Sequence, residues 1–551
     1  MPTSPGAADD VVVSWPSDLA PPWSACPLEP VTHVLGREMR SNPDRVPLVF
    51  EDGFEITSGQ LLDETEHLAG VLSELIEVGD RVVLAIGNRA EFVIAFLAII
   101  ANRGVAVCLS PELGAHEAAF VVDDSSCRIA LVDDTSRAVF DDLAASSDVL
   151  TTVLPVMGEE PQGFRHLSAG AGPLDLLAAD ASMHDVVDIG YTSGTTGLPK
   201  ALGGTHRSML RYVDVHLRTH TDPSQRLLFP LQLHYGDPLT GLFAAIVGGT
   251  SVVLVRKFSV SRFWEVARRT GATSIFTIGS IPDMLLNSPP SADDRAHSVR
   301  EAVAIAVPRA RHAELEERFG FPWREVYGSS ETGPAIAMPA QHGDRFVGTG
   351  ALGIPYPDVE ARLVDERGDV IAGEGVGELQ VRGEIEFSGY VGHPEATAEV
   401  MDGDWLRTGD LLRRDRHGVY YFEGRSKELI RRSGINISPA EIESVLRLHP
   451  SVEDVAVVPV PDAVMGEEIK AYVKLVDGAA WEPAELLPFA AARLSRQKLP
   501  RYLEQRAEPF PRTETQRIPK AKLMVDGAHG IDHCWDSRSS GSEEVRRGEA
   551  S

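Results

Sequence analysis

Along the chain, short β-branched runs alternate with stretches of helical periodicity. Apolar runs at Arg81 to Ile86, Ile129 to Val132, Ser251 to Val255 and Ser274 to Ile278 predict strands, and Glu91 to Ala101 and Ser261 to Arg269 predict helices. This alternation predicts an α/β fold of layers around largely parallel sheet. From about Val359 the pattern shortens to strands and turns, with Ala361 to Val364, a turn at Asp365 to Gly368, Gly377 to Arg382 and a Gly389-Tyr390 pair, which predicts a β-rich subdomain. After Arg425 a distinct α+β unit is expected, with a capping box at Ser438 and Glu441 opening a helix and strands at Val455 to Val460 and Ile469 to Val476. The expected organisation is a large N-terminal domain of layered α/β subdomains plus the β-rich subdomain over residues 25–424, and a small C-terminal domain over 425–525. Residues 1–24, rich in Pro, Ser, Ala and Asp, and the polar residues 526–551 read as a disordered arm and tail.

Length agrees with this division, because 551 residues exceed what one compact core holds. Charge narrows the partners: 52 basic against 81 acidic residues give −29, which disfavours nucleic acid and anionic membrane, so any phosphate ligand must be held locally. Cys26, Cys108, Cys127 and Cys534 show neither metal-ligand spacing nor a disulfide framework. The N-terminus lacks a basic and apolar leader, and the apolar stretch Phe92 to Ala101 is too short to span a bilayer. A cytoplasmic location is expected.

The segment Thr192, Ser193, Gly194, Thr195, Thr196, Gly197, Leu198, Pro199, Lys200 combines small hydroxyls, two glycines and a lysine. Such a loop lets backbone N–H groups and hydroxyls close around phosphate oxygens while Lys200 supplies charge. It lacks Walker A spacing, and Pro199 prevents a helix from following directly. The alternative reading is an ordinary Gly/Ser/Thr surface loop.

With the motifs that follow it, this segment resembles the signature of the acyl-adenylate-forming superfamily, which includes acyl-CoA synthetases, amino-acid adenylation domains and luciferase. Tyr327, Gly328, Ser329, Ser330 and Glu331 are similar to the element whose tyrosine stacks on adenine and whose glutamate helps hold Mg²⁺. Trp405 to Asp410 resembles the ribose element, with Asp410 accepting from both hydroxyls, and Gly424 to Ile430 resembles the domain junction, with Arg425 near ribose and phosphate and Lys427 at the hinge. The resemblance runs from about Leu35 to Leu523 and implies ATP, Mg²⁺ and a small acid, with pyrophosphate release and transfer to CoA as a thioester. It also implies that the small domain is mobile and rotates between the two half-reactions.

One departure stands out at the C-terminal motif, where the superfamily carries a Gly-Lys pair and this chain reads Gln516-Arg517, with Lys520 three residues on. Arginine keeps the charge but replaces a compact ammonium with a planar fork. Arg517 is preferred over Lys520 because a three-residue offset in an extended segment reverses the face. Within the superfamily, Lys257 to Trp264, Pro289 to Asp294 and Gly320 to Tyr327 look most like the carnitine/crotonobetaine-CoA ligase branch. His234, Tyr235 and Asp237 fall where the family places acyl-pocket residues. Asp237 would suit an amine or quaternary ammonium, or simply start a turn before Pro238. Arg309 would pair with a second substrate carboxylate or face solvent. The readings weighed are an acid:CoA ligase; an adenylating enzyme that passes its group to an amine or carrier protein, or activates nitrite; and a catalytically idle nucleotide-binding scaffold.

Overall fold

The computed structural model describes residues 12–538 except 169, 171, 179, 193–199, 220, 221, 223, 386, 426, 427, 433, 434, 463, 513–517, 526–530 and 532. Two sheets build the large domain. In the first, the strands Thr152–Pro155, Ile129–Val132, Arg81–Ala85, Val105–Cys108 and Val186–Thr192 run parallel, and Lys200–Thr205 returns antiparallel at the edge. In the second, Leu48–Phe50, Ser251–Leu254, Arg226–Phe229, Ser274–Ile278, Glu301–Ile305 and Trp323–Ser329 are parallel. That sheet continues antiparallel through Gly333–Ala337 and Ala351–Pro355 into the strands Tyr420–Arg425, Trp405–Arg414, Gly375–Gly383 and Val359–Val364, the expected β-rich part. Helix Ala90–Ala101 is buried on every side, which explains its nearly continuous apolar sequence. Its one acid, Glu91, is paired with Arg89 at 3.2 Å.

The C-terminal unit is a mostly antiparallel sheet with Gly466–Leu475 at its centre, Val452–Asp462 paired along it, and helix Pro439–Leu446 packed against Val452–Asp462. The helix starts where the sequence places it, but the expected capping box does not form. Ser438 makes no side-chain cap bond, and the Glu441 carboxylate is taken by Lys498 Nζ at 2.6 Å. Pro439 at the first turn has no N–H to satisfy, so the helix starts without that cap.

Both expected disordered ends are corrected in part. Residues 12–24 pack on the large domain: Val13 is buried, Trp15 stacks on Tyr356, and the N–H of Trp23 donates to Asp214 at 2.9 Å. Asp214 belongs to a buried ionic group with Arg218, Arg211 and Asp358, so the arm finds a fixed acceptor in the core. At the other end, Trp535–Asp536 adds a strand beside Tyr502–Arg506, and Arg538 pairs with the buried Glu468. Aromatic burial and charge-assisted bonds outweigh the polar composition at both places. Among the described residues no helix is long and apolar enough to cross a membrane.

Candidate active site

The predicted nucleotide elements converge on one cavity of ≈ 1730 Å³, bounded by both sheets and by the small domain. Strands Val186–Thr192 and Lys200–Thr205 pair through Tyr191 with Ala201 and Thr192 with Lys200, which fixes both ends of the phosphate-loop segment. Ser193, Gly194, Thr195, Thr196 and Gly197 lie outside the described residues, as do Lys427, Gln516 and Arg517. Lys200 lines the cavity with its Nζ 4.9 Å from the centre of the Tyr390 ring.

Tyr390 then links the lysine to the acidic motif. Its hydroxyl donates to Glu331 Oε1 at 3.1 Å, and Ser329 Oγ donates to Glu331 Oε2 at 3.0 Å. The turn at Ser329 is tied by its N–H to Thr332 Oγ1 at 2.9 Å, while Gly328 lies so close to Gly333 that a Cβ would stand 2.5 Å from the Gly333 carbonyl oxygen. Glycine is therefore a steric requirement of this turn. Ser330 also lines the cavity.

On the adjoining strands, Tyr327 hydroxyl donates to Asp410 Oδ2 at 2.8 Å and Arg425 Nε lies 3.3 Å from Asp410 Oδ1. Asp410 and Arg425 are direct cross-strand partners. Asp410 follows Gly409, whose φ of 70° and N–H bond to Glu378 Oε1 at 3.3 Å turn the chain at the aspartate. Burial and the neighbouring Asp410 hold the Tyr327 phenol well above its usual range, so it stays a neutral donor.

The acid-pocket candidates divide. His234 and Tyr235 sit on one helical turn, Leu233–Tyr235, with ring centres 4.4 Å apart, and Asp237 opens helix Asp237–Gly248; all three line the cavity. Burial pushes the Asp237 carboxyl up to about 7. Arg309 does not reach the cavity. The short helix Arg309–Arg311 that follows Pro308 turns its exposed side chain toward Gly350. Lys520 lines the cavity from the small domain but its Nζ is held by Glu443 at 2.8 Å, with Glu428 at 3.6 Å.

Sequence reasoning missed three cavity residues. Tyr390 was only part of a Gly-Tyr turn, with nothing to signal that it meets Glu331. Asp188 on strand Val186–Thr192 and Glu325 on Trp323–Ser329 add carboxyls that burial pushes up to about 7 and about 8. Glu325 also accepts backbone bonds from Val307 and Ala306, which pull the other way. An isolated acid inside a strand-forming run was their only signal.

The model of the AMP-binding enzyme family matches residues 35–391, and that of the AMP-binding enzyme C-terminal domain matches 441–517. The chain belongs to the AMP-binding enzyme family. It is an adenylate-forming ligase of the acid:CoA ligase type. It is 36% identical over 338 residues to the sulfoacetate–CoA ligase of Cupriavidus necator, a match spanning 61% of this chain and 66% of that protein, just under two thirds of it. It is 27% identical over 502 residues to the crotonobetaine/carnitine–CoA ligase of Salmonella heidelberg, spanning 87% of this chain and 96% of that one. Among solved structures, ATP-bound MatB from Rhodopseudomonas palustris superposes with a TM-score of 0.81 at 26% identity, covering 90% of this chain and 99% of that one. The amide bond synthetase McbA from Marinactinospora thermotolerans superposes at 0.76 and 26% identity, covering 90% and 99%. The α/β fold with a smaller C-terminal domain is the one these enzymes share.

The family implies Mg²⁺, and the residues fit it. Glu331 offers a carboxylate oriented by Tyr390 and Ser329, and Lys200 lies over the same Tyr390 ring. Among the described residues no group of three or more acidic, His or Cys side chains could cage a metal, so phosphate oxygens and water would complete the shell. That is the usual coordination of Mg²⁺ in phosphate chemistry.

Proposed function

We propose that this chain adenylates a small carboxylic acid that carries an amine or quaternary ammonium group, and passes the acyl group to CoA as a thioester. The observation that carries the proposal is the convergence of Lys200, Tyr390, Glu331, Asp410 and Arg425 on one cavity, with the buried Tyr327 bonded to Asp410 from behind it, and with Asp188, Asp237 and Glu325 on the remaining wall. Asp410 accepts from the ribose hydroxyls, Arg425 lies between ribose and phosphate, and the segment from Thr192 to Lys200 encloses the triphosphate. Glu331 would hold Mg²⁺, which would supply positive charge to offset that of the phosphates as a carboxylate approaches the α-phosphorus. The acid oxygen attacks the α-phosphate, pyrophosphate leaves, and the thiol of CoA then displaces AMP from the acyl carbon. Arg517 supplies the small domain's positive charge during adenylation, and the chain around Lys427 absorbs the rotation between the half-reactions.

The acid class follows from charge. Three carboxyls poised near neutrality repel a second anion, such as the sulfonate of sulfoacetate, and attract a cation. Crotonobetaine and carnitine, named in the relative that covers most of the chain, carry such a cation. The test is pyrophosphate release with a panel of cationic, neutral and dianionic acids, with and without CoA. Cationic acids should give the highest kcat/KM, with AMP and thioester formed in equal amounts only when CoA is present. Thioester-free turnover that depends on an added amine, or on nitrite plus amine, would replace CoA as acceptor. ATP binding without turnover of any acid would leave an idle scaffold.

A further inference from the structure

The N-terminal segment expected to be disordered enters the cavity wall. Trp15, Pro16 and Leu19 line the same cavity as the nucleotide elements. Trp15 is fixed in two ways: its ring stacks on Tyr356 with centres 4.9 Å apart and planes at 21°, and its Nε1–H donates to the Pro355 carbonyl at 2.8 Å. The position of Pro355 follows from sheet register. Tyr327 pairs with Ile336, and Ile336 pairs with Pro355, so the indole is anchored two strands from the tyrosine of the nucleotide motif, about 10 Å at normal strand spacing.

The segment is secured on both sides of this contact. Before it, Val13 packs with Met338, Ala351 and Val419, and the Ser14 carbonyl accepts from Gln341 Nε2 at 3.0 Å. After it, the N–H groups of Trp23, Ala25 and Cys26 donate to Asp214, and Arg207 lies 4.8 Å from the Trp23 ring centre. The segment is thus tied on both sides of the indole. A wall built from a strap also differs from one built from a core strand, because its side chain can change without repacking a sheet.

We infer that residues 13–19 form one wall of the acid cavity and that Trp15 is a specificity-determining residue that sets the largest acid accepted. This rests on the acid-activating reading above. Truncating the indole opens the space between Tyr356 and helix His206–Thr219, whose Val215 and Thr219 line the same cavity. Tyr356 and the bond to Pro355 place the ring without touching the nucleotide groups, so ATP handling should be unchanged.

The experiment compares full-length protein with Trp15→Ala and Trp15→Phe in acid-dependent ATP–pyrophosphate exchange, using a homologous series of acids of increasing bulk. Trp15→Ala should shift the ratio of kcat/KM for bulky over small acids at least tenfold, with KM for ATP unchanged, while Trp15→Phe keeps the wild-type profile. An unaltered size profile in a folded Trp15→Ala protein would overturn the inference, even with a lowered Tm, because the strap would then be structural only. Should Trp15→Ala not fold, Leu19→Ala provides the same comparison. Equilibrium binding of a dansyl-labelled long-chain acid supplies an arm independent of turnover. If no acid supports exchange in wild type, the activity reading fails, yet tighter binding of the labelled acid to Trp15→Ala still supports the wall and equal binding refutes it.

Discussion

The two ends of the cavity are built on opposite electrostatic plans. At the end proposed to bind the nucleotide, Asp410 has Tyr327 and Arg425 as donor and cation, and Glu331 has Tyr390 and Ser329 as donors. Elsewhere on the cavity wall, Asp188, Asp237 and Glu325, proposed to face the acid, are pushed toward neutrality by burial. The first arrangement is organised before a ligand arrives. The second changes charge near neutral pH and gains most from a ligand that brings its own cation. A constant nucleotide thus meets a preset site, whereas the acid meets a site whose charge depends on it.

The largest effect should come from breaking the nucleotide end. Asp410→Ala removes the acceptor for two ribose hydroxyls and strands Arg425, a loss of about 4 kcal/mol or roughly 1000-fold in kcat/KM for ATP. Steady-state kinetics across an ATP titration measures it. Acid selectivity should be unchanged.

The acid end should answer to pH instead. Unfolded aspartate titrates near 3.9, whereas folded Asp188 titrates at about 7, so the folded state keeps a proton that the unfolded chain has lost between those values. Stability therefore falls as pH rises from about 4 to about 7, and the full penalty applies above that. Asp188→Asn should have a higher Tm than wild type at pH 8, by several degrees, with the difference vanishing near pH 4. Binding moves the other way. KM for a cationic acid should fall as pH rises from about 6 to about 8, because deprotonation of Asp237 and Asp188 creates the attracting charge. A flat KM profile would remove these carboxyls from recognition.

This contrast also separates what the sequence made legible from what it did not. Lys200, Glu331, Asp410 and Arg425 sit in short local motifs that resemble those of the superfamily, so they were candidates from the sequence, and the fold brings them to one cavity. The alternating fold was legible because burial periodicity is local. Tyr390 meets Glu331 across 59 residues, and that contact depends on how the β-rich strands fold back. Asp188 and Glu325 are unremarkable until tertiary packing dries their surroundings. Composition misled at the N-terminus because one indole and three N–H groups suffice to anchor a Pro- and Ser-rich segment. Arg309 misled because a turn after Pro308 directs it away from the cavity.

A finer cut at the nucleotide end is Tyr390→Phe. The ring that faces Lys200 remains, and only the bond to Glu331 is lost. A hydrogen bond to a charged carboxylate contributes about 1.5 kcal/mol, so kcat/KM for ATP should drop about tenfold at limiting Mg²⁺. Saturating Mg²⁺ should restore most of it if the hydroxyl acts by orienting the metal-binding carboxylate. A loss that Mg²⁺ leaves unchanged would assign Tyr390 to Lys200 or to substrate instead.

The smallest effect is expected where the small domain meets this end. Lys520 lines the cavity, yet its ammonium is engaged by Glu443, which also accepts the Val457 N–H at 2.8 Å and lies 3.8 Å from Arg447. Removing the lysine leaves Glu443 with those partners, so Lys520→Ala should cost about 1 kcal/mol of stability and change ATP–pyrophosphate exchange less than about threefold. Arg517→Ala should instead abolish most exchange, because it removes the cation proposed to meet the carboxylate and α-phosphate. If the two variants behave in the reverse order, the Lys520–Glu443 pair must open during turnover. The acid-activating charge would then come from the helix Lys520–Val525 and not from the segment before it.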